Sequence, residues 1–287
     1  MTSMGEPPDH VVMSFGAGVQ STTLAYLAMR CDDRLLSVTS RVPGLYVFAD
    51  TGDEPRAVYS HFETMRLLIE SSGSQLDAVS RGQGLAEHVE EKILAGKGGI
   101  SSPPMWVATD DGGDSLPLRR GCTQDFKSKP IDKHLKAAFG VPRGYKGEAL
   151  LEQWLGISAD ESSRMRDSRE QWRRFRYPLI EMGWKRSHCI DFLDSIGVSA
   201  PRSACVFCPF HNRQEWKALM ADPVERKRIV AFERMARKGW SEKGAFGTRT
   251  EPFLHRSRVP IDEVDFDAGQ LTLYSMWENE CEGMCGV

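Results

Sequence analysis

The chain has 287 residues, 40% hydrophobic and 27% charged, with a formal net charge of −3. That length accommodates one large α/β domain, or one domain with an appendage. No apolar run approaches the roughly eighteen residues that a membrane-spanning helix needs, and the near-neutral charge argues against wholesale non-specific nucleic-acid binding while leaving room for a local basic patch.

The first ten residues, MTSMGEPPDH, lack the basic and apolar regions of a secretion signal, so a cytoplasmic protein is expected. The seven cysteines stand at positions 31, 122, 189, 205, 208, 281 and 285. An odd count without a secretion signal does not suggest a disulfide scaffold. The close pairs Cys205/Cys208 and Cys281/Cys285 point to metal or redox chemistry instead.

Residues 11–15 predict a buried strand, and 22–29 a helix with Leu24, Leu27 and Ala28 on one face. A second buried strand is expected over 44–50 (GLYVFAD). A helix follows over 57–69, where Val58, His61, Phe62, Met65, Leu68 and Ile69 recur at helical spacing. Residues 75–79 predict a third strand. This βαβαβ order implies a parallel sheet with helices on its faces. Residues 96–121 are rich in Gly, Pro and Ser and predict a long loop lying over something. Further helices are expected at 130–139, 186–196 and 223–238. The expected layout is an α/β nucleotide-binding domain over 9–215, followed by a helical C-terminal part over 216–287 that ends in a cysteine-bearing tail.

Between the first strand and helix lies SFGAGVQST (14–22). A glycine-rich turn from strand to helix suits a phosphate, because backbone N–H groups and the positive end of the helix dipole attract anions. Ser14, Ser21 and Thr22 add hydroxyl donors. The alternative is a tight turn that holds nothing. The Walker loop is excluded by the missing lysine, and the dinucleotide fingerprint by Ser21 where it needs glycine. FADTGDE (48–54) ends the second strand beside this loop, at the sheet edge where ligands bind. Asp50 and Asp53 are candidates to contact an adenosine or a magnesium ion. Alternatively, Asp53 or Glu54 caps the helix after Pro55.

SFGAGVQST, FADTG and CTQDFKSKPI (122–131) together resemble the phosphoadenosine phosphosulfate (PAPS) reductase family, part of the adenine nucleotide α-hydrolase, or PP-loop, superfamily. The resemblance runs from about residue 11 to the C-terminus and is strongest at these islands. It implies a Rossmann-like parallel sheet flanked by helices. It also implies adenine-nucleotide binding by Ser14, Gly16, Gly18, Gln20, Ser21 and Thr22, with Asp50 nearby. ATP-cleaving members carry an Asp where Gln20 stands here, which counts against pyrophosphate cleavage.

RRGCTQDFKSKPIDKHL (119–135) sets Cys122 among Arg119, Arg120, Lys127 and Lys129. Positive neighbours favour the thiolate and suit a phosphate or sulfate group. ACVFCPF (204–210) adds a C-x-x-C turn from which two thiolates can reach one metal centre. The resemblance implies that Cys122 helps to hold an iron–sulfur centre, so Cys122, Cys205 and Cys208 are candidate ligands, with Cys189, a non-protein ligand or nothing as the fourth. A [4Fe–4S] cluster is expected over zinc, because the resemblance points that way. A metal-free redox dithiol is the alternative. Cys189 also shares a helix face with Phe192, Leu193 and Ile196, which reads equally as core. In the tail, NECEGMCG places Cys281 where the resemblance implies a nucleophile that attacks the sulfur of a sulfonucleotide. Cys285 would then resolve the product, or both would bind metal.

RMRDSREQWRRFRYP (164–178) holds six arginines against Asp167 and Glu170, with Trp172, Phe175 and Tyr177 interleaved. It reads as a nucleic-acid surface over 164–177, as a sulfate or phosphate clamp, or as a solvated helix with internal ion pairs such as Arg166–Glu170. Three functions are consistent with the whole chain. The first is PAPS- or APS-reductase-like chemistry, with a thiol electron donor. The second is an ATP-dependent thiolation enzyme with a sulfur donor. The third is a zinc-stabilised nucleic-acid-binding module.

Overall fold

The computed structural model describes residues 8–96, 99–108 and 115–267. Cys281 and Cys285 lie outside these described residues. The architecture is α/β. Five parallel strands form one sheet in the order β3-β2-β1-β6-β7: β1 (His10–Ser14), β2 (Leu45–Asp50), β3 (Gln75–Ser80), β6 (Leu151–Leu155) and β7 (Arg173–Arg176). Around it run α1 (Val19–Met29), α2 (Asp33–Leu36), α3 (Arg56–Ser71), α4 (Leu85–Leu94), α5 (Lys129–Ala138), α6 (Pro178–Glu181) and α7 (Arg186–Ser195). α8 (Arg213–Ala221) and α9 (Pro223–Lys243) make up the helical C-terminal part. The arrangement is compatible with a Rossmann-like fold. No helix among the described residues is long and apolar enough to cross a membrane.

The strands alternate between two buried faces, as side chains on a strand must. Met13, Phe15, Tyr46 and Phe48 pack with Leu24 and Leu27 of α1, Phe62 and Met65 of α3, and Cys189 and Leu193 of α7. Val12, Val47 and Ala49 face the other way, onto Ile131 and Leu135 of α5 and onto Trp172. A third cluster joins α4, Met105, Phe126 and residues 204–208 to Trp216, Ile229, Phe232 and Ala236. The C-terminal helices therefore share a core with the preceding chain.

α8 begins with a reciprocal cap: the Asn212 side chain accepts from the Glu215 N–H, and Glu215 accepts from the Asn212 N–H. α9 begins Asp-Pro, with Asp222 accepting from the Val224 and Glu225 N–H groups, and ends at Gly244 in the left-handed conformation.

The expected loop over 96–121 contains a short antiparallel hairpin, β4 (Trp106–Ala108) with β5 (Ser115–Pro117). Residues 101–105 before it are buried. A π-helix over Gln124–Ser128 leads straight into α5. The segment 164–178 is not a helix: a 3₁₀ turn over Ala159–Arg164 precedes the edge strand β7.

The chain steps from β1 out to β2 and β3, then returns to the opposite side of β1 for β6 and β7. Strand order thus reverses between β1 and β6. The crevice at the carboxyl ends of those two strands is where an open α/β sheet binds ligands.

Candidate functional site

The loop between β1 and α1 sits at that reversal. Ala17 lies in the left-handed region at φ 56°, flanked by Gly16 and Gly18. For a residue with a Cβ this costs on the order of 1–2 kcal/mol, so surrounding packing must hold it. What packs there is Ser203. A Cβ on Gly18 would lie 2.9 Å from the Ser203 Cβ and 3.2 Å from its backbone N, and a Cβ on Gly16 would lie 2.9 Å from the Ser203 hydroxyl. The two glycines admit residue 203 to the mouth of the loop. On the far side, Gly156, just past β6, lies against the backbone of Ser21, which a Cβ there would approach to 3.0 Å.

The loop hydroxyls are committed within the protein. Ser14 accepts from Gln153 Nε2 at 2.7 Å. Ser21 accepts from the Gly18 N–H and donates to the Gly18 carbonyl, both at 3.1 Å. The fully buried Thr22 pairs with His61 on α3 at 2.8 Å, and burial holds that imidazole's pKa below its ordinary value. These groups shape the loop from behind. The Gln20 amide donates to Glu161 at 2.9 Å and accepts from Arg186 at 3.1 Å. Two cationic residues thereby stand at the first turn of α1: Arg186 directly, and Arg164 through its ion pair with Glu161. The Arg164 Nε and the Ser158 hydroxyl are buried without a hydrogen-bond partner. Leaving a buried polar group unpaired costs about 1–3 kcal/mol, so two of them beside one loop suit a polar ligand.

The second constellation lies at the end of β2. Thr51, Leu85, Pro103, Pro104, Arg120, Cys122, Thr123, Lys127, Cys205 and Cys208 line one pocket. Three of the four candidate metal-ligating cysteines share it, and Arg120 and Lys127 share it with them. Arg119 is exposed and not part of it. The roof is the buried strap whose Pro103 and Pro104 form a wall. Arg120 stacks on Phe210, 4.7 Å from the ring centroid, and its Nη1 is buried without a hydrogen-bond partner.

Acidic residues of the TGDE turn brace this pocket. Thr51 donates to Glu54 at 3.0 Å, and Lys127 pairs with Glu54 at 3.6 Å. Asp53 caps α4 by accepting from the Ala86 N–H, receives Arg228 of α9, and offers its carbonyl to the Val206 N–H. It thus ties the turn to the cysteine loop. The cap it makes is on α4; the helix after Pro55 is capped instead by Glu225 of α9, which accepts from the Arg56 N–H at 2.8 Å. Asp50 accepts from the Tyr59 hydroxyl at 2.7 Å and the Gly52 N–H at 2.8 Å.

Cys189 lies apart from the pocket. It is fully buried in the sheet core between α1 and α7, and burial pushes its thiol up to about 12. As a fourth ligand to a centre at Cys122, Cys205 and Cys208 it is corrected to a core residue. Among the described residues no group of three or more His, Cys, Asp and Glu side chains is placed to hold a metal ion as it stands. The donor chemistry of the pocket nevertheless suits a soft metal or cluster, with three thiols beside two cations.

Three arginines of the 164–178 segment, Arg173, Arg174 and Arg176, are paired within the fold, while Arg166 and Arg169 are exposed. Arg173 pairs with Asp132 and Gln153 and lies between Trp172 and Phe175, 4.8 and 4.7 Å from their centroids. Arg174 and Arg176 both pair with Glu152. Trp172 and Tyr177 are buried and have no face to offer a base. Glu170 pairs with Lys136, not with Arg166.

Sequence reasoning missed Gly156, Ser158, Glu161, Arg186 and Ser203, and gave Arg164 only as part of the arginine-rich segment. Gly156 closes LEQWLG (151–156), but Glu152 and Gln153 interrupt the apolar run there, so local pattern gave little signal. No protein-family model matches the chain, and no curated protein matches it.

Proposed function

We propose that the chain binds an adenine nucleotide at the β1–α1 loop and carries out sulfur chemistry beside it, most closely that of a sulfonucleotide reductase of the PP-loop type. One observation carries this reading: Ser203 rests on Gly16 and Gly18, while Cys205 lines the cysteine pocket. Two residues of extended chain reach about 7 Å at most, so an anion at the loop and a thiol in the pocket are neighbours.

In this reading the nucleotide phosphates meet the start of α1, with Arg164, Arg186 and the unpaired Ser158 hydroxyl alongside. The transferable sulfur group faces Arg120 and Lys127. A cysteine thiolate attacks that sulfur. The S–O bond to the nucleotide breaks, its electron pair leaves on the phosphate oxygen, and a cysteine S-sulfonate forms. A second thiol, from an external donor or a neighbouring cysteine, attacks the cysteine sulfur. It releases sulfite and leaves a disulfide, so two thiols supply the two electrons. Cys281 is the proposed nucleophile and Cys285 the resolving thiol. An iron–sulfur cluster, where bound, would be held by Cys122, Cys205 and Cys208 and would supply positive field and electron-accepting capacity beside the substrate.

A second reading has one observation in its favour: the pocket cysteines already lie beside the loop. There ATP would adenylate an acceptor, and sulfur from the pocket would displace AMP. Calorimetry on full-length protein purified without oxygen, titrated with APS, PAPS and ATP, separates the readings. Thiol-dependent sulfite release from APS or PAPS supports the first. Acceptor-dependent pyrophosphate release from ATP supports the second. No binding of any of the three would overturn both.

A further inference from the structure

A groove of about 490 Å³ opens between α8 and α9, away from the nucleotide loop and the cysteine pocket. Met220, Ala221, Pro223, Val230 and Ala231 form its apolar floor. Arg226, Lys227 and Arg234 rim it, and Arg226, Lys227, Val230, Ala231 and Arg234 make one stripe at helical spacing. Arg234 pairs with Asp262 at 2.5 Å, whereas Arg226 and Lys227 are exposed and have no ion pair among the described residues.

We propose that this groove is the docking site for residues 268–278 of the same chain. The path of the preceding residues leads there. Asp262 already lies in the groove. Phe266 stacks on Trp216, and its carbonyl accepts from Arg213 at 2.6 Å. Asp267 then pairs with Lys217 at 2.5 Å. Lys217 is three and four residues ahead of Met220 and Ala221, so the chain reaches residue 267 on the very face of α8 that continues into the groove.

The segment that follows is chemically complementary. It carries Leu271, Leu273, Tyr274, Met276 and Trp277, then Glu278, Glu280 and Glu282, with no lysine or arginine. Apolar residues match the floor, and Glu278, the first carboxylate after them, matches the exposed Arg226 and Lys227 of the rim. Reach is ample: the stripe from residue 226 to 234 is about 12 Å long, and ten extended residues span about 33 Å. Docking there anchors the tail a few residues before Cys281. This inference does not depend on the nucleotide reading.

Hydrogen–deuterium exchange on the full chain tests it. Amides of residues 271–277 should exchange at least about tenfold more slowly than an unstructured chain, independently of protein concentration. The surface variant R226E/K227E should return them to the unstructured rate while the sheet amides stay protected. Adding E278K to that variant should restore protection in part. The proposal fails if the wild-type segment is unprotected, or if R226E/K227E leaves its protection intact. It also fails if protection rises with concentration alongside a dimer in sedimentation, which would place a second copy in the groove.

Discussion

The Lys127 ammonium stands 3.6 Å from the Glu54 carboxylate in the wall of the cysteine pocket, their side chains 14% and 2% exposed. Removing one partner of such a pair leaves a buried charge uncompensated, whereas removing both charges does not. Lys127→Met should therefore lower stability to urea by about 3–5 kcal/mol. Glu54→Gln with Lys127→Met should recover most of that loss. Equal losses in the single and double variants would show that the pair does not couple.

Ser203 and the loop glycines offer a test of packing that involves no ligand. Gly18→Ala brings a Cβ against both the side chain and the backbone of Ser203, and overpacking of this kind costs about 1–3 kcal/mol. Gly16→Ala meets mainly the Ser203 hydroxyl, which can rotate away, and should cost less. Ser203→Gly should rescue Gly16→Ala fully and Gly18→Ala partly, because the Ser203 N remains. Thermal melts of the five variants check this ordering, and a Gly16→Ala variant weaker than Gly18→Ala would refute it. The same contact means that a bulky residue at 18 cannot report on nucleotide binding alone.

The cysteines should divide sharply. Cys122→Ser, Cys205→Ser and Cys208→Ser should each lower the iron and acid-labile sulfide of anaerobically purified protein. Cys189→Ser should leave both unchanged. In the folded state Cys189 should resist iodoacetamide at pH 8 and react only after unfolding, because its thiol is held near 12. Iron loss in Cys189→Ser would return that residue to the metal site.

His255 sets a stability window in acid. Burial first, and then the adjacent Arg256, depress its pKa to about 4. Its Nδ1 pairs with the Ser257 hydroxyl at 2.7 Å and accepts from the Ser257 N–H at 3.3 Å. The unfolded imidazole takes a proton below its ordinary value of about 6.5 while the folded one stays neutral. The unfolded state then binds more protons, so stability falls as pH drops from about 6.5 to 4. That loss is on the order of 3 kcal/mol at about 1.4 kcal/mol per unit. His255→Gln should flatten the slope of a urea series in this range.

The apolar elements were legible. Strands at 11–15 and 44–50 are written in apolar runs, that at 75–79 in a shorter, partly polar stretch, and the helices between them in helical spacing, and they occur where expected. β6 was not legible. It sits fully buried next to β1, yet it contains Glu152 and Gln153, which read as surface residues. Their polar ends are satisfied by Trp154, Arg174 and Arg176 for Glu152, and by Ser14 and Arg173 for Gln153. Those partners lie up to 139 residues away, and local pattern cannot supply them. For the same reason the pairing of Arg173, Arg174 and Arg176 within the fold could not be read from the 164–178 stretch. The pairing of Cys205 with Cys208 was legible from spacing, and their gathering with Cys122 was implied by the family resemblance. The strap holding Pro103 and Pro104 over them emerges only from tertiary packing.

β7 is four residues long, RRFR, and forms one margin of the sheet. An open margin invites another chain to add a strand, which is the first step of many aggregates. Here the invitation is withdrawn: the strand is too short to template much pairing, and its guanidinium groups are already clasped to Glu152, Glu181 and Asp132. A short strand whose guanidinium groups are already held in place gives a second copy of the molecule little to pair with at that side.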